Sequence, residues 1–261
     1  MDGMTLDRWV PFRNEGAVVR CRLSSFPHAA GNAAFYRPLR RLPPEVVLCP
    51  VELPGRAARL EEPPLTSMSA FMERLYHALQ PLMVVPFGFF GHRVGACIAY
   101  EAARQLRSAD GWTAERLFVS GRGNPNCASA DPPPARLRSD RDLLAILGPF
   151  GGTPPAILKS PELIAVLLPA LRADLALVEG YVVDPGDPIT CPITAFGGAD
   201  DVSHSYSLQS WRDFTRGKFR ACILPGGHFY FSPAADALAK EIIQNLHASV
   251  GMHAASARSQ V

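Results

Sequence analysis

The residues with the most chemical potential are in Phe87-Gly88-Phe89-Phe90-Gly91-His92-Arg93-Val94-Gly95-Ala96. An apolar run long enough for one buried strand meets a Gly-x-x-x-Gly turn, and Cys97 to Leu106 continue with helical character. Strand, sharp turn and helix in that order hold the central residue of the turn at positive φ, a geometry that presents a nucleophile. Such a backbone costs a residue with a Cβ about 1–2 kcal/mol. The central residue here is Arg93. A guanidinium stays protonated at neutral pH and has no usable lone pair, so position 93 cannot carry a covalent intermediate. Ser24, Ser25, Ser120 and Cys97 hold nucleophilic atoms, but none lies in a turn that would present one. A cation at a helix N-terminus also opposes the macrodipole, by about 0.3–1 kcal/mol. An offset is therefore expected from Asp200, Asp201 or an anionic group on a ligand.

These residues need a scaffold, and the pattern around them supplies one. Strands are expected over 17–23, 46–53, 116–121, 193–196 and 219–224, in addition to the run that leads into Arg93. Helices are expected from Ala33 through Leu39, over 67–82 with Met68, Phe71, Leu75 and Leu79 on one face, over 140–148 and 161–181, and from Pro233 to His247. Strands alternating with helices predict an α/β fold, a mainly parallel twisted sheet with helices on both faces. Sites in such sheets gather at the carboxyl ends of strands. The Arg93 turn, the Asp200-Asp201 loop and the His228 loop all follow strands and so converge in space. After the first strand, Ser24 to Asn32 form a small-residue loop able to bring backbone N–H groups up to an oxyanion. The chain reads as a single domain over 1–248. Residues 131–188 form a helical lid insertion or a cover for one sheet face, and 249–261 a loose tail.

Composition excludes several classes. The 261 residues are 48% hydrophobic and 19% charged, which describes a globular protein. Lys+Arg at 26 against Asp+Glu at 24 leaves +2, and no RNP, zinc-finger or basic-helix pattern is present, so nucleic acid is not the expected partner. Residues 1–14 do not read as a secretory signal, and no apolar run approaches the roughly 20 residues of a membrane helix, so a cytoplasmic location without membrane contact is expected. The six cysteines are scattered without C-x-x-C spacing, which argues against disulfides and against a metal site. No cofactor is expected.

Several short motifs taken together carry a resemblance. Pro27-His28-Ala29-Ala30-Gly31, Val51-Glu52-Leu53-Pro54-Gly55-Arg56, Gly91-His92-x-Val94-Gly95-Ala96, Gly151-Gly152-Thr153-Pro154-Pro155, Pro169-Ala170-Leu171-Arg172-Ala173-Asp174 and Pro225-Gly226-Gly227-His228-Phe229 occur in this order over about residues 20 to 245. In this the chain resembles the type II thioesterases, stand-alone α/β-hydrolases that remove acyl groups from carrier proteins of polyketide and nonribosomal peptide synthases. The resemblance implies an α/β-hydrolase fold and a triad in the order nucleophile, Asp, His. His228 matches the base. For the acid, counting from Phe196 favours Asp201 and counting back from Trp211 favours Asp200; Asp201 is preferred. The oxyanion donors would map to the backbone N–H groups of Ala29 and Val94. Arg93 departs from the pattern, standing where the family has its nucleophilic serine.

Three readings follow. His228, oriented by Asp201, acts as general base on water or on an acidic proton of a bound acyl chain, while Arg93 and the backbone donors hold a carbonyl or carboxylate. Alternatively the chain is a non-catalytic binder of the acyl chain or carrier, or an ordinary thioesterase with serine replaced by arginine. The implied partner is an acidic acyl or peptidyl carrier protein bearing a phosphopantetheine-linked acyl chain. Arg56, Arg59, Arg136 and Arg138, if exposed, would form its docking face, and the protein is expected to be a monomer.

Overall fold

The computed structural model describes residues 3–13, 18–127, 134–148, 152–183, 187–201 and 207–258. Strands β1 (Cys21–Phe26), β2 (Val46–Pro50), β3 (Phe87–His92), β4 (Arg116–Ser120), β5 (Ile193–Gly198) and β6 (Phe219–Leu224) form one six-stranded sheet in the order β2-β1-β3-β4-β5-β6. Every pairing is parallel, with Leu23 opposite Gly88, Phe90 opposite Phe118, and Phe196 opposite Cys222. The first strand lies later than the 17–23 expected from alternation, because pairing with β2 and β3 begins at Cys21 and Arg22. After β1 the chain leaves to one side for β2 and returns on the other for β3. This topological switch opens a crevice beyond the carboxyl ends of β1 and β3.

The side-chain alternation of the strands fills two cores. Phe89, Leu117, Val119, Ile193 and Ala195 face helices α2 (Met68–Leu79) and α3 (Val94–Asp110). Leu23, Phe90, Phe118 and Phe196 face the other way, toward the 3-10 helix Ala33–Arg41 and helix α7 (Ala235–Arg258). Residues one apart thus serve opposite layers, and near-continuous apolar strands result from having both faces covered.

Some elements differ from expectation. A short helix α1 (Gly3–Trp9) precedes the sheet, and Trp9 is buried against Phe71 with ring centroids 5.8 Å apart. The segment after Asn32 is a 3-10 helix containing Pro38, capped by the Asn32 side chain accepting from the Ala34 N–H at 3.0 Å. The last helix continues to Arg258, beyond the His247 expected as its end; its alanines favour the helix. Within 131–188, helices α4 (Asp140–Leu147) and α6 (Pro161–Val178) pack together around Leu143 and Leu171, and the short α5 (Pro155–Leu158) lies against α6. All six cysteines are free. Among the described residues no helix is long and apolar enough to cross a membrane.

Candidate active site

Between β3 and α3, Arg93 adopts φ 57° and ψ −114°, so the turn has the strained backbone that its sequence predicts. Its N–H donates to the Ser120 carbonyl at 2.9 Å, fixing the turn to the end of β4. Glycines make the approach possible. A Cβ at Gly91 would lie 2.0 Å from the Gly95 carbonyl oxygen, and one at Gly95 would lie 2.0 Å from that of Phe26. The first turn of α3 therefore abuts the end of β1, next to the loop that carries Ala29. The first N–H groups of α3, Val94 included, have no acceptor within the helix and provide a partial positive charge.

The β5 and β6 loops bring the acid and base together. His228 Nδ1 lies 2.7 Å from Asp201 Oδ2, and both side chains are buried. Asp200 is exposed, and its N–H donates to the Gly226 carbonyl at 2.9 Å, joining the two loops through the backbone. Of the two adjacent aspartates, the buried one therefore faces the histidine. With Asp201 ionised, Nδ1 carries the proton and Nε2 is left as the accepting nitrogen. Burial holds the His228 pKa below the usual histidine value; the Asp201 hydrogen bond opposes this, and the Arg93 charge adds to it. Of the two causes that lower it, desolvation is the larger and the Arg93 charge the smaller.

Two further histidines surround this pair, and their types alone did not single them out as site residues. The His92 ring centroid is 5.1 Å from that of His228 and 6.2 Å from that of His28. Burial pushes His28 down to about 4 and His92 well below the usual value, so the cluster is neutral at physiological pH. His92 Nδ1 pairs with Ser120 Oγ at 2.9 Å, and Ser120 Oγ with the Tyr230 hydroxyl. Ser120 is thereby engaged behind the turn, with no access to a substrate. Among the described residues, no group of three or more His, Cys, Asp or Glu is placed to hold a metal ion.

The loop that carries Ala29 is unusual in its backbone and in what holds it. Ala30 stands at φ 58°, and its N–H donates to Asp174 Oδ2 of α6 at 2.8 Å. Asp174 also receives a two-pronged contact from Arg56, which is only 7% exposed. Arg59, 4% exposed, donates to the Glu52 carbonyl at 2.8 Å and lies over the Trp9 ring at 3.9 Å. Arg56 and Arg59 are therefore removed from the expected docking face: they hold loops together inside the protein. Arg136 is exposed and Arg138 half-buried.

The model of the family described as "Thioesterase domain" matches residues 21–249. The chain is 38% identical over 229 residues to the gramicidin S biosynthesis protein GrsT of Aneurinibacillus migulanus, covering 86% of this chain and 88% of that one. It is similar to the solved structure of RedJ, a thioesterase from the prodiginine pathway of Streptomyces coelicolor, with TM-score 0.80, 34% identity, and 88% and 91% of the two chains covered. It is also similar to the type II thioesterase BorB from the borrelidin biosynthetic cluster, with TM-score 0.80, 33% identity, and 92% and 98% covered. The parallel sheet with helices on both faces is the α/β-hydrolase fold.

Proposed function

The chain belongs to the type II thioesterase family, and from that premise we propose that it acts on acyl groups held as phosphopantetheine thioesters on carrier proteins of polyketide or nonribosomal peptide biosynthesis. Arg93 stands where the family holds its nucleophilic serine, so the reaction proceeds without an acyl-enzyme. The observation that carries this reading is the buried His228–Asp201 pair at 2.7 Å, assembled beside a turn that has no nucleophile. A histidine whose pKa is depressed, chiefly by burial, is unprotonated at neutral pH and can accept a proton at Nε2.

In the hydrolytic form of the reaction, His228 takes a proton from water as the oxygen adds to the thioester carbonyl. The resulting oxyanion is held by the N–H groups of Ala29 and Val94 and by the Arg93 guanidinium. The C–S bond then breaks, and the pantetheine sulfur leaves with the proton from His228. Asp201 keeps the imidazole oriented and stabilises it while it is charged. Residues 131–188 act as the lid over the acyl chain, and Arg136 and Arg138 contribute to the docking face for an acidic carrier. The same base and donors also suit an elimination, cyclisation or epimerisation of a bound acyl chain.

A second reading is favoured by Arg93 itself: a cation at the centre of the turn suits a protein that binds an acyl carrier without turning it over. One experiment separates the two. The protein and its Arg93→Ser and His228→Ala variants are incubated with a panel of acyl-carrier thioesters, and products are identified by mass. Turnover by the parent that is lost in His228→Ala supports the base-catalysed reaction. Hydrolysis confined to Arg93→Ser supports a binding protein derived from a hydrolase.

A further inference from the structure

Two motifs with no role in the reaction above, Pro54-Gly55-Arg56 and Leu171-Arg172-Ala173-Asp174, meet in the interior. Arg56 and Asp174 are 118 residues apart in sequence and form a bidentate ion pair, Nη1 to Oδ2 at 2.6 Å and Nη2 to Oδ1 at 2.7 Å. A buried pair of this kind offsets its own desolvation only when further hydrogen bonds complete it. Much of that completion falls on one loop. Asp174 Oδ2 accepts the Ala30 N–H at 2.8 Å, and Arg56 Nη1 donates to the Gly31 carbonyl at 3.0 Å. Arg56 Nη2 reaches the Pro54 carbonyl at 3.3 Å.

The loop needs this support. Ala30, at φ 58°, is in a region that a residue with a Cβ keeps only where its surroundings over-determine it. Ala29 and Ala30 also pack against the cluster of Ala135, Leu143 and Leu171 contributed from the lid side. The backbone next to the Ala29 N–H is thus held from α6 by charge, hydrogen bond and packing together.

We propose that Asp174, with Arg56, is a positioning residue that aims the Ala29 N–H at the substrate carbonyl oxygen and makes that aim depend on the seating of α6. Neither side chain touches the substrate. When α6 lifts, the Ala30 N–H loses its acceptor and the donor at Ala29 loses its alignment; when α6 seats, the donor is restored. The proposal rests on the reading of Ala29 as an oxyanion donor.

The test uses the full-length Arg93→Ser protein as parent, with the octanoyl thioester of N-acetylcysteamine as substrate and amide hydrogen exchange over residues 28–34 as a second readout. Three changes are added to it: Asp174→Ala, Asp174→Asn, and the double change Arg56→Leu/Asp174→Leu, which leaves no unpaired charge should Asp174→Ala fail to fold. A misaligned oxyanion donor lowers kcat by about ten- to a hundredfold with KM within about threefold. That split is expected for Asp174→Ala and the double variant, together with faster exchange over 28–34. Asp174→Asn, which keeps an acceptor for Ala30, is expected to recover part of both. Unchanged exchange at this loop in the double variant, or unchanged kcat despite faster exchange, overturns the proposal. Absence of turnover by the Arg93→Ser parent means that the serine reaction has not been restored, and the exchange data then decide whether Asp174 holds the loop: unchanged exchange over 28–34 in the double variant overturns the proposal.

Discussion

The strain at position 93 can be measured apart from the contacts of its side chain. Arg93→Gly and Arg93→Ala both remove that side chain and its contacts, so the difference between them reports the backbone. Arg93 sits at φ 57° and ψ −114°. This lies outside the left-handed helical well, whose ψ is about +30° to +60°. Such a conformation costs a residue with a Cβ about 1–3 kcal/mol. Glycine escapes that cost but loses about 0.5–1 kcal/mol more chain entropy on folding than alanine. The glycine variant should therefore be the more stable of the two by about 0.5–2 kcal/mol. Each kcal/mol corresponds to roughly 2–4 °C in Tm for a chain of this size. The assay is paired urea and thermal denaturation, with circular dichroism to show that both variants keep the fold. An alanine variant equal to or more stable than the glycine variant would refute the claim that this turn is held under strain.

Three other outcomes are expected. Gly95→Ala places a Cβ 2.0 Å from the Phe26 carbonyl oxygen, more than 1 Å inside the 3.4 Å at which ordinary contact begins, so α3 and β1 must separate. The loss should be about 1–3 kcal/mol or more in denaturant titration. Burial pushes Glu52 up from 4.5 to about 7, against the pull of the Ala33 N–H, Arg56 and Arg59. Between those two pH values the folded state binds more protons than the unfolded state, so this residue's contribution is full below about 4.5 and lost as pH rises through about 7. Glu52→Gln should therefore be nearly neutral at pH 4 and stabilising by about 3 kcal/mol at pH 8, as read from the difference between the two proteins' urea midpoints. Finally, Arg136→Glu with Arg138→Glu should weaken binding of an acidic carrier severalfold at low salt and by less at 0.5 M salt in a titration by fluorescence anisotropy.

Most of the fold was legible because strands buried on both faces are written as short apolar runs, and all six were placed to within a few residues. The turn at Arg93 was legible for a different reason. Gly91 and Gly95 are demanded by backbone contacts that admit no Cβ, and such a requirement leaves glycine at fixed spacing. Sequence supplied only a preference for Asp201 over Asp200, since counting from each end of the loop gave a different answer; burial against His228 distinguishes the two in space. Arg56 was misread for a related cause. A lone arginine after Pro-Gly has the composition of a surface loop, and its partner Asp174 is 118 residues away with no spacing rule to join them. Helix α1 was passed over because seven residues give too little periodicity to distinguish a helix from a loop.

The position of α7 bears on how the chain reaches its folded state. Leu238, Ile242 and Leu246 on this helix complete the layer over Leu23, Phe90, Phe118 and Phe196. The 3-10 helix that shares this layer is made early, but α7 is made only after all six strands. A parallel sheet must also close long connections before its pairings form, so β1 has β3 as a neighbour only after β2 and α2 have been added. During synthesis the part of this aromatic-rich face that α7 covers therefore stays open until α7 has been made. Removing α7 is expected to leave that part of the face open and to yield a chain that aggregates, as light scattering would show.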